Sequence, residues 1–400
     1  MPARNRRLAA RLAARPGVAP LAAALVALVA ATASGAIAAA TAPALVTPLD
    51  GEASFGEVVA RAPAGARDAV VLVGGRRAGR TRVAGGQARF TVKGQVGPQA
   101  VTVRFVDGGR VVGAVTAKRV WLLPRSGLVA RVAAVRDTAL SDRLEELGRG
   151  FPGWTGIYVQ DLATGRFGAW NSDAPFLGAS TVKLGVLIEA LRRFGPFPER
   201  SSAWPDIVAM ITVSANDAAN RLLARIGAGS DGAGSRAVDA RFAAIGAVST
   251  RFPGPYRLEQ ARGVARGSGL DAPRIPPFLP WRRTTAHDLG RIMRAIHAAA
   301  LGKSDALRRT GLTLHEARLA LALLLDARAD GGALAGAVRP GLAVAQKTGY
   351  RDDVRNAAAI VYTPDGPKIV VVVSYGPPRI DAGAVGRLAR GVAAAAGVAP

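Results

Sequence analysis

Cysteine is absent from this 400-residue chain, which excludes disulfides, thiolate-held metals and cysteine nucleophiles. Histidine is nearly so, with only His287, His297 and His315 present. No His-x-His or His-x-x-x-His pair exists to grip a catalytic zinc, and all three fall in stretches that read as helix, where surface or interhelix packing accounts for them. Aromatic residues are sparse at 5%, and lysine supplies six of the 53 basic side chains. The formal charge of +25 therefore comes from arginines scattered along the whole length. Nucleic-acid binders concentrate charge in runs interleaved with aromatics, so no nucleic-acid partner is expected. Spread charge of this kind suits general attraction to anionic envelope polymers or carboxylate substrates. No metal site and no cofactor are expected.

At the N-terminus, Arg4, Arg6, Arg7, Arg11 and Arg15 precede an apolar stretch from Gly17 to about Ala40 that ends in small residues. A basic head, an apolar middle and an Ala-x-Ala end form a secretory signal pattern, and roughly 20 apolar residues also suffice for a membrane anchor. Residues 1–42 are thus expected to be a signal peptide or an anchor. The working part would then be extracytoplasmic, either secreted or tethered and associated with the cell envelope.

Residues 43–124 change character. Ala69–Val73, Ala88–Val92, Ala100–Phe105 and Val111–Val115 are short β-rich runs separated by glycine-bearing turns, a spacing that predicts a small all-β, immunoglobulin-like sandwich. It carries no cluster of nucleophile, base or ligand residues and reads as a spacer or wall-binding module. Beyond it, residues 125–400 form the second expected domain. The apolar spacing predicts a helix over Gly127–Leu147, a hairpin from Thr155 to Trp170, and helices after Ser180. Three strands follow (Leu342–Thr348, Asn356–Thr363, Lys368–Tyr375), then a last helix over Ala382–Ala396. Strands at both ends with helices between predict an α+β fold, one antiparallel sheet covered by helices.

Chemistry concentrates in three short motifs. In Ser180-Thr181-Val182-Lys183 a serine opens an amphipathic helix and a lysine stands one turn on, over the same face. A serine hydroxyl needs a base to become a nucleophile, and lysine serves if burial and neighbouring positive charge lower its pKa. Arginine would stay protonated, so a lysine kept here in an arginine-biased chain is informative. Ser214-Ala215-Asn216 and Lys347-Thr348-Gly349 follow in order. Chance occurrence of all three is about one in a thousand.

With these motifs, on the expected helix, loop and strand, the sequence resembles the serine penicillin-recognising enzymes, class A β-lactamases and D-alanyl-D-alanine peptidases. The likeness runs from about Leu140 to the C-terminus. It implies a β-lactamase/transpeptidase-like sheet flanked by helices, with a helical lobe. It further implies Ser180 as nucleophile, Lys183 as base or relay, and Ser214 as proton donor to the leaving nitrogen. Asn216 would hold the substrate amide, and Lys347 and Thr348 its carboxylate. The backbone N–H groups of Ser180 and Tyr350, beside Gly349, would form the oxyanion hole. Arg355 would be either a second carboxylate contact or a surface arginine. The implied partner is a β-lactam or a peptidoglycan stem peptide, and no oligomeric state follows.

Three departures stand out. Tyr256 falls near the place of the glutamate that activates the deacylating water in class A enzymes, and Glu259, three residues on, is either that base or a solvent-facing residue. The interval from Ser180 to Ser214 is short, implying a trimmed helical lobe. The stretch Phe252–Arg283, rich in Gly, Pro and Arg, is either a lid or an elaborate loop. Three functions stay open: β-lactamase, D,D-peptidase or transpeptidase, and a non-catalytic module that binds β-lactam or muropeptide.

Overall fold

The computed structural model describes residues 42–125, 133–256, 281–327 and 333–400, and Ala42–Pro400 forms one compact unit. Its centre is a six-stranded sheet with the order Ala343–Arg351, Val354–Thr363, Gly366–Tyr375, Trp154–Asp161, Arg166–Trp170 and Val135–Arg136. Pairing is antiparallel except at the last, two-residue strand, which runs parallel to Arg166–Trp170. The strand Trp154–Asp161, early in the chain, pairs with Gly366–Tyr375, near its end, Trp154 facing Tyr375 and Asp161 facing Lys368. This long-range pairing joins distant segments into the single sheet expected from the element order.

Both faces of the sheet are covered, which explains why its strands read as continuous apolar runs. Ile369, Val371 and Val373 point into one apolar cluster and Val370 and Val372 into another, following the two-residue period of a strand. The second cluster receives the helices Thr138–Arg149 and Ala382–Ala395. The first receives the helical side of the molecule, built from Lys183–Phe194, Asn216–Ile226, Asp231–Ile245, Ala286–Ala300 and Leu314–Leu325. Lys183–Phe194 runs through the middle of it, with every residue from Lys183 to Leu191 buried. Each of its fully buried Leu, Val and Ile side chains contributes about 1.5–3 kcal/mol. A Cβ on Gly185 would come within 2.4 Å of Phe242, so this glycine is what lets Asp231–Ile245 pack so closely.

The first helix after the sandwich is shorter than expected from Gly127–Leu147. It starts at Thr138, where the Asp137 carboxylate accepts from the Leu140 N–H at 3.0 Å. That cap satisfies an otherwise orphan donor and sets the boundary, while Val135 and Arg136 are drawn into the sheet. Residues 126–132 lie outside the described residues.

Between Ala42 and Arg125 a three-stranded sheet and a five-stranded sheet face one apolar cluster that includes Val58, Phe90, Val103 and Phe105. The four strands expected from sequence fall on Asp68–Val73, Gln87–Thr91, Gly97–Asp107 and Arg110–Leu122. Arg76–Arg82 was not legible because it is an exposed edge strand with no apolar alternation. Contacts with the helical side are specific. Arg119 grips Asp326 through two bonds of 2.7 and 2.5 Å, and the Trp121 indole N–H donates to the same carboxylate at 2.8 Å. Glu52 meets His315 at 2.6 Å, and Phe55 packs edge-on against His297, 5.6 Å between ring centroids.

The expected localisation is corrected here. Among the described residues no helix is long and apolar enough to cross a membrane. The longest span 15 residues, against about 20 for a crossing, and both pack against the core. The apolar stretch on which secretion or anchoring rested, Gly17 to about Ala40, lies within 1–41, outside the described residues.

Candidate active site

Ser180 sits just before the helix Lys183–Phe194, in a tight turn where Thr181 N–H bonds the Gly178 carbonyl at 3.0 Å and Lys183 N–H the Ser180 carbonyl at 3.2 Å. Ala179, immediately before it, holds a left-handed backbone (φ 44°). That conformation costs a non-glycine residue about 1 kcal/mol or more and persists only where surrounding packing enforces it. Ser214 shows the same feature (φ 58°) in the loop between Trp204–Thr212 and Asn216–Ile226. Two strained residues flank the same small space.

Lys183 projects into that space with no solvent exposure. Its Nζ donates to the Ser214 carbonyl at 2.5 Å and to Asn216 Oδ1 at 2.7 Å, and lies 3.4 Å from Ser214 Oγ. Burial, then the charges of Lys347 and Arg282, lower its pKa from 10.5 to about 6. A neutral amine has two hydrogens, which the two short contacts engage, leaving a lone pair able to accept a proton. Lys347, at 2% exposure, arrives from the strand Ala343–Arg351 and donates to Ser214 Oγ at 3.0 Å and to the Thr348 carbonyl at 3.0 Å. Burial lowers it to about 8, so near neutral pH one amine is free and the other charged.

The same strand closes on the Ser180 turn at Gly349. A Cβ there would lie 3.0 Å from the Gly178 carbonyl and 3.2 Å from the Ser180 nitrogen. Glycine therefore permits a backbone approach that sets the strand end beside the Ser180 N–H, as two convergent oxyanion donors require. Tyr350 is 56% exposed beyond it. Arg355 stacks its guanidinium 3.6 Å from the Tyr350 ring centroid and donates to the Val354 carbonyl at 2.9 Å.

Ser180, Lys183, Ser214, Asn216, Lys347, Thr348, Gly349, Tyr350 and Arg355 thus share one region. Glu259 lies outside the described residues. Tyr256, which alignment puts near the glutamate's place, enters the site itself. Its hydroxyl donates at 2.8 Å to the carbonyl of Ala179, the residue before Ser180, and Lys183 Nζ stands 4.6 Å from its ring centroid. Among the described residues neither Lys183 nor Lys347 forms an ion pair with a carboxylate.

Sequence reasoning missed Asn220 and Arg282. Asn220 brackets Tyr256, accepting from its N–H at 2.6 Å and donating to its carbonyl at 2.8 Å. Its place four residues after Asn216, on the same helix face, was a usable signal. Arg282 donates to the Gly254 and Pro255 carbonyls at 2.7 and 3.0 Å, and nothing distinguishes it in sequence from the many other arginines.

A serine in a tight turn and a lysine at the following helix start thus face a lysine-bearing sheet edge in a two-sided α+β fold. The Beta-lactamase enzyme family matches residues 139–195 and 199–396, more than half the chain. The protein belongs to that family. Among solved structures it is similar to PBP-A, at 20% identity and TM-score 0.51, over 66% of this chain and 97% of that one. A PBP-A mutant in acyl-enzyme complex with penicillin G gives 18% identity and TM-score 0.51, over 66% and 98%. A β-lactamase from Streptosporangium roseum gives 21% and 0.50, over 65% and 99%. These likenesses concern the fold. No curated protein sequence matches.

Proposed function

We propose that the chain is a serine hydrolase acylated at Ser180 by a β-lactam or a related D-Ala-D-Ala-like amide, and then hydrolysed. The supporting observation is the Ser214 hydroxyl, which accepts from Lys347 at 3.0 Å and faces Lys183 at 3.4 Å, so that all three motifs meet there. In this reading Ser180 Oγ attacks the carbonyl while its proton passes to the neutral Lys183 amine. The oxyanion is held by the N–H groups of Ser180 and Tyr350. As the C–N bond breaks, the leaving nitrogen takes the Ser214 proton and Ser214 recovers one from Lys183, which returns to its neutral form. Asn216 holds the substrate amide. Lys347 and Thr348 hold its carboxylate, and Arg355, already aligned on Tyr350, gives a second carboxylate contact. Water then releases the acid and regenerates Ser180.

One observation favours a second reading, a D,D-peptidase or penicillin-binding protein whose acyl-enzyme persists. Tyr256, a group that cannot act as a base near neutral pH, bonds the Ala179 carbonyl beside Ser180 and has Lys183 over its ring. A chromogenic cephalosporin separates the two: many turnovers support the first, a burst of one equivalent the second. Activity on a peptide ending in D-Ala-D-Ala divides a peptidase from a binder. Absence of any adduct on Ser180 would sink both. Residues 43–124 are read, in either case, as a small β-sandwich domain carried by the hydrolase domain 125–400.

A further inference from the structure

The Lys183 amine and the Arg282 guanidinium both stand over one aromatic ring beside the Ser180 turn. Lys183 Nζ is 4.6 Å and the Arg282 guanidinium carbon 4.0 Å from the Tyr256 centroid, distances at which a ring attracts a cation. The ring has little freedom. Asn220 clamps the Tyr256 backbone from both sides, and the Gly254 and Pro255 carbonyls hold Arg282 in place. A phenol carries one proton, and that of Tyr256 goes to the Ala179 carbonyl at 2.8 Å. That bond ties the ring to the residue immediately before Ser180, whose backbone is left-handed (φ 44°).

We propose that Tyr256 and Arg282 are positioning residues for acylation at Ser180. Tyr256 fixes the turn that carries Ser180 by holding the Ala179 carbonyl, and Arg282, held on the ring that Lys183 also faces, keeps a permanent positive charge beside that lysine. The inference rests on the site reading above and names two residues outside its three motifs. The groups facing Lys183 are Lys347 from the sheet edge, Arg282 from the approach to Arg283–Thr284, Tyr256 from the preceding loop, and Ser214 and Asn216 from the loop opposite. Guanidinium does not titrate near neutral pH, so its effect is constant where Lys347 becomes neutral. The burial, Lys347 and Arg282 effects all act in one direction on Lys183.

The test uses the whole chain labelled at lysine Cε. With six lysines, heteronuclear NMR follows Lys183 directly, while stopped-flow acylation by a chromogenic cephalosporin is measured over the same pH range. Arg282→Gln is expected to raise the Lys183 midpoint by about one pH unit and to carry the acidic limb of acylation up with it. Arg282→Lys should leave both near the wild-type values. Tyr256→Phe keeps the ring and loses the hydroxyl, so the acylation plateau should fall about tenfold with the midpoint unmoved. An unmoved midpoint in Arg282→Gln, or an unchanged plateau in Tyr256→Phe, overturns the proposal. If Arg282→Gln does not fold, Arg282→Lys decides: a midpoint still near 6 supports it, and a return to the ordinary lysine range overturns it. Should the wild type take no acyl group, the site reading fails by itself, and the NMR titration still reports on the pair.

Discussion

The Lys347 ammonium and the Lys183 amine meet at a single hydroxyl, Ser214 Oγ, at 3.0 and 3.4 Å. One lysine comes from a helix start and the other from a sheet edge, more than 160 positions apart in sequence. Removing the shared atom breaks the relay without emptying the core. Ser214→Ala should slow acylation about a hundredfold while Ser180 still takes up label slowly, as intact-mass spectrometry would show. Acylation at the wild-type rate would deny Ser214 any part in proton transfer.

Ser180→Ala should abolish the acyl adduct. Ser180 is half-buried and outside the apolar clusters, so unfolding stability should stay within about 0.5 kcal/mol of wild type. Thermal denaturation checks the second point and mass spectrometry the first. An adduct that survives on another residue places the nucleophile elsewhere.

Acylation should follow a bell-shaped pH profile. Lys183 must be neutral to accept a proton, so the rate rises through its value of about 6. Lys347 must be charged to hold a carboxylate, so the rate falls above about 8. The limbs report the free protein when initial rates are taken well below saturation. A profile flat from pH 5 to 9 would be incompatible with either lysine in its assigned role.

Gly349→Val places side-chain atoms against the Gly178 carbonyl and the Ser180 nitrogen. The strand end must retreat, and the oxyanion donors part. A loss of about a hundredfold or more in acylation is expected, with a stability change of about 1–2 kcal/mol. If stability collapses and the residual folded fraction acylates normally, the glycine is only a packing residue.

His315 bridges Glu52 at 2.6 Å and Glu199 at 3.2 Å. Burial acts to lower its pKa, but the bonds and charges of Glu52 and Glu199 outweigh it, and the net shift is upward from 6.5. A group whose folded pKa is raised stabilises below its unfolded value, and that stabilisation fades as pH climbs through the folded value. The difference in melting temperature between wild type and His315→Asn should therefore shrink as pH is raised from about 5 to about 9. A constant difference would assign the residue to packing alone.

The motifs, the antiparallel strands near the C-terminus and the hairpin Thr155–Trp170 were readable because each is a local pattern. Strand alternation, helix periodicity and a serine-lysine spacing of one turn involve residues close in the chain. Asn220 and Arg282 were not readable, since their roles depend on what lies across the cleft. The start of the first helix was misjudged because one Asp137 cap overrode a longer apolar periodicity. Arg76–Arg82 escaped notice because an exposed edge strand needs no apolar face.

By itself the amino-acid order determined which groups could do chemistry: one serine and lysine a helical turn apart, a second serine, a second lysine before a glycine, and no thiol. Those are covalent facts carried by neighbours in the chain. Tertiary structure alone decided that Lys183 would be buried beside a second amine, which lowers its pKa to about 6, and that the Tyr256 hydroxyl would hold the Ala179 carbonyl beside Ser180. Proton affinity and solvent access depend on distance through space, and distance through space is set only when the sheet closes and the helices pack upon it.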